Sequence, residues 1–231
     1  MLFKLISILR VQLIFFSVPI ILVTCSAMFV IGSESVYNYG FEKYDIPDAT
    51  GITMEQLKIA GSQLRDYFDN DEELIRISIL KHGTMVPNLF NNREILHMKD
   101  VKALVKLVYK LQIMSVGIVI MCVIVGFFNN ESRHISRSII WMGRGGMLTI
   151  SLTGMIGLLS LLGFDRLFLY FHLVSFSNDL WILDPSRDYL IAMFPQGFFF
   201  DATMLIAGLV VVQGLMLAML PRVLRLFWKI R

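Results

Sequence analysis

Four histidines, His82, His97, His134 and His172, are the residues of this 231-residue chain best suited to proton transfer near neutral pH, because imidazole alone has an ordinary pKa between pH 5 and 8. Their settings differ. His134 stands beside Arg133 in a basic stretch and is expected to be solvated or near anionic headgroups. His82 falls in Lys81-His82-Gly83, where the spacing predicts a helix end and a cation complementing the helix dipole. His97 and His172 sit in strongly apolar surroundings that also carry polar groups. On a helix His97 shares a face with Arg93 at i−4 and Asp100 at i+3, and His172 with Ser175 at i+3, Phe176 at i+4 and Asp179 at i+7,. An acid beside an imidazole fixes its tautomer and raises its basicity. The alternative for each is a satisfied core histidine on a helix whose charges are merely interfacial.

Other chemistries lack their residues. There is no HExxH, GxSxG or Walker-type phosphate loop, which argues against a zincin, a serine hydrolase of that type and a nucleotide-driven transporter. Gly143-Arg144-Gly145-Gly146 is glycine-rich but is expected as a turn. Cys25 and Cys122 fall in different apolar segments, which does not make a disulfide framework or a reactive thiolate,.

The elements that must position the histidines are mostly apolar helices. Hydrophobic residues make up 56% of the chain, and the mean hydropathy is +0.67. Four stretches, Val11–Ile31, Leu111–Phe128, Gly145–Phe164 and Ala202–Leu220, contain no Asp, Glu, Lys or Arg. A bilayer core of about 30 Å takes roughly 20 such residues as a helix. The expected class is therefore an all-α polytopic membrane protein with four transmembrane helices and a helical extracytoplasmic region. The net charge of +3 is unevenly spread. Lys4 and Arg10 precede the first span, Arg133, Arg137 and Arg144 lie between the second and third, and Arg222, Arg225, Lys229 and Arg231 follow the fourth. The positive-inside rule then puts both termini and the loop 129–144 in the cytoplasm. The segments of about 33–110 and 165–201 face outward, within a single integral membrane domain over 1–231. Topology accounts for the basic surplus, so no nucleic-acid partner is implied. Lys4 and Arg10 before an apolar run ending at Cys25 faintly resemble a lipoprotein signal peptide, but Thr24 is a poor match before the Cys. Three further spans follow, and the segment is read as a retained helix.

Between the spans the pattern predicts several smaller elements. Pro19 is tolerated inside the first span. Tyr37, Tyr39, Phe41 and Tyr44 past it read as an aromatic belt at headgroup level. Thr53-Met54-Glu55-Gln56 has capping-box form and opens a helix to about Phe68. The acids Asp69, Asp71, Glu72 and Glu73 suit the start of another helix, with Gly83 as its stop. Asn91-Asn92-Arg93-Glu94 begins a helix that nothing breaks before Phe128, roughly 52 Å long and thus longer than the membrane. Leu167–Leu183 mixes apolar residues with His172, Ser175, Asn178 and Asp179, the composition of an interfacial or re-entrant element, ended at Asp184-Pro185. Phe194-Pro195 opens a second aromatic patch at Phe198, Phe199 and Phe200.

Two blocks carry a resemblance. Asn92-Arg93-Glu94-Ile95-Leu96-His97-Met98-Lys99-Asp100-Val101 is the first. The second is Phe171-His172 through Phe176, with Asn178, Trp181, Asp184-Pro185, Asp188 and Met193-Phe194-Pro195. Together they resemble a bacterial membrane family that includes the lipoprotein intramolecular transacylases, Lit, over essentially the whole chain apart from an unalignable Ser33–Thr53. The resemblance implies an enzyme of the bacterial cell membrane acting on diacylglyceryl-modified lipoproteins among membrane lipids, with no nucleotide and no cofactor. It moves the sn-2 acyl chain from glycerol to the N-terminal cysteine α-amine, giving a lyso-form lipoprotein. The family's two essential histidines carry over to His97 and His172.

That chemistry suits the residues. An α-amine has a pKa of about 8, within reach of a neutral imidazole as general base. Attack closes an eight-membered ring, so holding amine and ester together is the main task, and ester to amide is downhill without ATP. His172 is assigned as base towards the amine, and His97 to the carbonyl oxyanion or leaving alkoxide. Arg93 is placed to assist the oxyanion, and Asp100 or Asp179 to orient an imidazole, with an interfacial salt bridge as the equal alternative for all three. Asn178, Trp181, Asp184 and Asp188 are expected to shape the outer pocket. The competing reading is a non-enzymatic, outward-facing lipid- or metal-binding protein using His82, His97 and His172. A transporter comes third, since no span carries a charge and no repeats occur.

Overall fold

A computed structural model describes residues 2–128 and 134–228. The architecture is all-α, with one short hairpin. Its elements are α1 (Leu2–Gly32), α2 (Glu34–Lys43), α3 (Ile46–Thr50), α4 (Met54–Asp69), β1 (Ile79–Lys81), β2 (Thr84–Val86), α5 (Asn92–Phe128), α6 (His134–Ser175), α7 (Tyr189–Met193) and α8 (Gln196–Trp228). Four helices, α1, α5, α6 and α8, are long and apolar enough to cross a membrane. Of the basic residues expected to flank the spans, Arg133, Lys229 and Arg231 lie outside the described residues. The expected loop 129–144 is helical from His134 onward, the start of α6.

The chain divides into two compact units. The first comprises residues 1–28, 108–158 and 204–231. Its helices expose large apolar side chains such as Phe16, Ile113, Met121 and Met216, the surface a lipid solvent favours. Inside, Val18, Leu22 and Val210 pack with Met142, Ile206 and Leu217. Lipid tails are as apolar as leucine, so helices here associate through close backbone approach and polar pairs rather than a hydrophobic drive. Gly146 and Gly214 meet in this way: a Cβ on Gly146 would stand 2.7 Å from the Gly214 carbonyl oxygen. Gln213 Nε2 donates to Ser26 Oγ at 3.1 Å, and Thr24 Oγ1 donates to Gln112 Oε1. Arg10 is buried and donates to Ser138 Oγ at 2.9 Å and to the Cys122 carbonyl at 3.3 Å.

The second unit comprises residues 29–107 and 159–203 and contains α2, α3, α4, the hairpin and α7. Its core holds Phe41, Ile46, Ile52, Leu57, Ile75, Ile77, Ile79 and Met193, each almost fully buried. Thr53 Oγ1 accepts from Gln56 N, as the capping pattern predicts for α4. The Gln56 side chain goes elsewhere and accepts from Leu80 N at 2.8 Å. Tyr37 and Phe41 are core, not belt: Phe194 lies edge-on to Tyr37 at 5.7 Å and tilted on Phe41 at 5.6 Å. Gly40 admits the Phe198 ring, which a Cβ would meet at 2.4 Å.

The helix expected from the acids to Gly83 does not form. Ile75, Ile77 and Ile79 are buried while Leu74 and Leu80 are exposed, a period of two, as a strand requires. β1 and β2 pair antiparallel with Lys81 opposite Thr84. His82 (φ 50°) and Gly83 (φ 77°) make the two-residue turn between them, both left-handed as such a turn demands. His82 is therefore a hairpin residue and caps no helix. The acids instead face a basic stripe of α5: Glu73 pairs with Lys99 at 2.5 Å and Asp71 with Lys106 at 3.5 Å. Lys102, 4% exposed, donates to Asn70 Oδ1 and the Glu72 carbonyl and lies 3.9 Å over the Tyr67 ring. The Lys99 bond holds the Glu73 carboxyl below its usual range, and burial pushes the Tyr67 hydroxyl up to about 12.

The segment read as a separate interfacial element also differs. Residues from Leu167 to Ser175 continue α6, whose backbone leaves helical geometry only at Gly163 (φ 177°, ψ 72°). The helix stops at Ser175, well before Asp184-Pro185.

Candidate active site

The two histidines singled out by sequence come together within the second unit. His97 stands in the second turn of α5 and His172 one turn from the end of α6. Both are nearly buried, at 6% and 8% exposure, and their ring centroids are 6.2 Å apart with planes inclined by 31°. Phe176 sits edge-on to His97 at 5.1 Å. Around His172 lie Phe168 at 4.4 Å, Trp181 at 5.0 Å, Phe171 at 5.3 Å and Phe176 at 5.6 Å. Aromatic faces and edges thus exclude water from both imidazoles and fix their planes.

The tautomer of His172 follows from one contact. Its Nδ1 is 2.7 Å from the Phe168 carbonyl oxygen, one helical turn back. A carbonyl only accepts, so Nδ1 carries the proton, and in the neutral ring the lone pair is on Nε2. His97 is different: its Nδ1 is buried with no hydrogen-bond partner.

The connection from residue 176 to 188 runs beside the histidines, and the start of α5 ties it down in three places. Arg93 donates from Nη2 to the Asp179 carbonyl. Asp100 Oδ2 accepts from Asn178 Nδ2 at 2.9 Å. Asp188, 6% exposed, accepts from Asn91 Nδ2 at 2.8 Å and from Asp184 N at 2.7 Å. Asp184 also organises its own turn, accepting from Ser186 N at 2.9 Å and Ser186 Oγ at 2.7 Å, with Arg187 at 3.2 Å. The Ser186 bonds and the nearby guanidinium hold its carboxyl below the ordinary carboxylate range. Of the residues expected around the pair, Trp181 touches an imidazole directly, whereas Arg93, Asp100, Asn178, Asp179, Asp184 and Asp188 are spent on shaping the connection.

Two residues were not singled out from sequence. Phe168 supplies the carbonyl that orients His172, and its only signal is the i−4 spacing. Glu94 is fully buried, and its carboxylate accepts from Asn91 N at 2.7 Å and Leu190 N at 2.6 Å. Asn91-x-x-Glu94 has the spacing of a helix-capping pair, a signal legible in the sequence. Among the described residues no three His, Cys, Asp or Glu side chains are grouped to hold an ion, and His82 stands in the hairpin turn.

An all-α chain with four apolar helices of spanning length and a dry pair of imidazoles belongs to the membrane-integral proteins. The comparisons with known proteins make this specific. The family described as lipoprotein intramolecular transacylase Lit matches residues 12–199. A curated relative from Aquifex aeolicus, described as an uncharacterized protein, is 29% identical over 187 residues, 80% of each chain. The membrane integral lipoprotein intramolecular transacylase Lit from Bacillus cereus superimposes with a TM-score of 0.81 at 21% identity, covering 97% of this chain and 98% of that one. A structure of the same protein with a histidine changed to arginine gives 0.76 at 20% identity, over 96% and 93%. The chain belongs to the Lit family, and is thus an enzyme of the lipoprotein transacylase class.

Proposed function

We propose that this chain transfers the sn-2 acyl chain of a diacylglyceryl lipoprotein to the α-amine of its own N-terminal cysteine, by histidine acid/base chemistry. The observation that carries the reading is the pair of buried imidazoles 6.2 Å apart, close enough for two hydrogen bonds of about 3 Å to meet on one reacting centre. His172 Nε2 takes a proton from the amine as nitrogen attacks the ester carbonyl. A C–N bond forms, the bond between the carbonyl carbon and the glyceryl oxygen breaks, and the proton passes to the departing glyceryl alkoxide. His97 faces the oxyanion or that alkoxide. The orientation of His172 by the Phe168 carbonyl supports its role as base, and the unpartnered Nδ1 of His97 supports a bond made only with substrate. Arg93, Asp100, Asn178, Asp179, Asp184 and Asp188 serve by holding the connection that carries Trp181. Closing the eight-membered ring is chiefly a matter of positioning. No protein nucleophile enters the scheme.

In the same reading the chain is one integral membrane domain. Both termini lie in the cytoplasm, and segments 33–110 and 165–201 lie on the outer side, where mature lipoprotein N-termini reside. The basic residues flanking the apolar helices support this orientation. The test is mass spectrometry of lipoprotein N-termini from cells expressing the wild type, His97→Ala or His172→Ala. The wild type is expected to yield N-acylated lyso peptides and both variants to yield none. Persistent product from both stably inserted variants overturns the mechanism.

A further inference from the structure

We propose that Glu94 is a positioning residue of the acyl-transfer site, a single buried carboxylate that fixes the starts of α5 and α7 together and thereby sets where His97 and Trp181 stand. The inference rests on the two-histidine reading above and deepens it.

A fully buried carboxylate is costly unless its oxygens are hydrogen-bonded, and Glu94 is 0% exposed. Each oxygen has one backbone donor: Oε2 accepts from Asn91 N and Oε1 from Leu190 N. The first bond is half of a reciprocal cap. Asn91 Oδ1 in return accepts from Arg93 N at 2.9 Å and Glu94 N at 3.2 Å, so α5 already has a satisfied start without reaching further. The second bond is therefore not needed to form α5. It reaches a residue 96 positions away in sequence.

What it reaches is a helix start lacking its own side-chain cap. Asp188 holds the capping position of α7 but makes no such bond to it. Its carboxylate is turned instead to Asn91 Nδ2 and Asp184 N. Glu94 thus supplies from α5 the acceptor that Asp188 withholds from α7, while Asp188 binds the residue that caps α5. The two carboxylates are exchanged across the junction. His97 is one turn beyond Glu94 on α5, and Trp181 lies on the connection that Asp188 closes. Loosening this exchange moves the His97 ring and the aromatic wall of His172 in concert.

Glu94→Gln keeps the size and one acceptor but sets an NH2 against the other backbone N–H. Displacement of a reacting group by about 1 Å costs on the order of 100-fold, so kcat is expected to fall by roughly that factor with KM changed by less than about threefold. Measured on purified protein with a synthetic diacylglyceryl lipopeptide, Asp188→Asn is expected to shift kcat in the same direction. Glu73→Gln, on an exposed ion pair, is expected to match the wild type. In an Asp188→Asn background, Glu94→Gln should cost less in kcat than it does alone, because the two carboxylates act through one junction. Wild-type kcat in Glu94→Gln overturns the proposal, as does a loss fully matched by a loss of folded protein, or an undiminished penalty in the Asp188→Asn background. Activity of the His97→Ala and His172→Ala single variants would sink the two-histidine reading instead, so the two failures are distinguishable.

Discussion

Replacing His172 by asparagine separates its place in the fold from its place in the chemistry. The asparagine amide nitrogen corresponds to Nδ1 and can still donate to the Phe168 carbonyl, the 2.7 Å contact that orients the ring. What it lacks is the Nε2 lone pair. A positioned general base contributes typically 10²–10⁴-fold, which at about 1.4 kcal/mol per decade is roughly 3–5 kcal/mol of the barrier. The structural cost is separate. The ring leaves contacts to Phe168, Trp181, Phe171 and Phe176, each worth about 0.5–1.5 kcal/mol, while the hydrogen bond, worth about 1 kcal/mol, is kept and adds nothing to the loss. A melt in detergent should therefore shift down by several degrees while the protein stays folded. The assay is single-turnover conversion of a diacylglyceryl lipopeptide to its N-acylated lyso product by mass spectrometry at pH 7. A rate at least 100-fold below wild type in folded His172→Asn is expected. A rate within threefold would refute the assignment of His172 as base, whatever the melt shows.

Three further outcomes test the frame. Gly146→Leu should force apart the Gly146–Gly214 approach, where even a Cβ would stand 2.7 Å from a backbone oxygen; overpacking of this kind costs about 1–3 kcal/mol, read as a lowered melting temperature. Gly83→Val, at φ 77° in the hairpin turn, should lose about 1–2 kcal/mol, whereas Gly157→Ala, with open space at its Cβ, should be near neutral. The Asp184 turn should weaken in acid. Its carboxyl is held below the ordinary range by Ser186 and Arg187, so its contribution is present above the unfolded value of about 3.9 and is lost as pH falls through the lower folded value. The protection factor of the Ser186 amide, its exchange corrected for the intrinsic pH dependence, should therefore fall at the acid end in the wild type and be lower, and less pH-dependent, in Asp184→Asn.

The amino-acid sequence determined the four apolar helices by itself, because length and the absence of charge suffice for an element whose backbone must satisfy itself in lipid. It also determined the unbroken run of α5 and the start of α4, since a cap and a 3.6-residue period are local signals. The hairpin has its own local signal in the alternation of Ile75, Ile77 and Ile79 with Arg76 and Ser78, but the nearby acids and Gly83 match helix punctuation more closely. Acids lie there because Lys99, Lys102 and Lys106 of α5 face them, and a partner so distant in sequence leaves no local trace. The same limit separates the histidines from their surroundings. That His97 and His172 are the candidates for the chemistry follows from residue type and motif. Their 6.2 Å separation, the tautomer set by Phe168 and the exchange of caps between Glu94 and Asp188 belong to the tertiary structure alone. Each depends on side chains that meet only after separate stretches of the chain have packed, and such meetings are settled by geometry in space rather than by spacing along the chain.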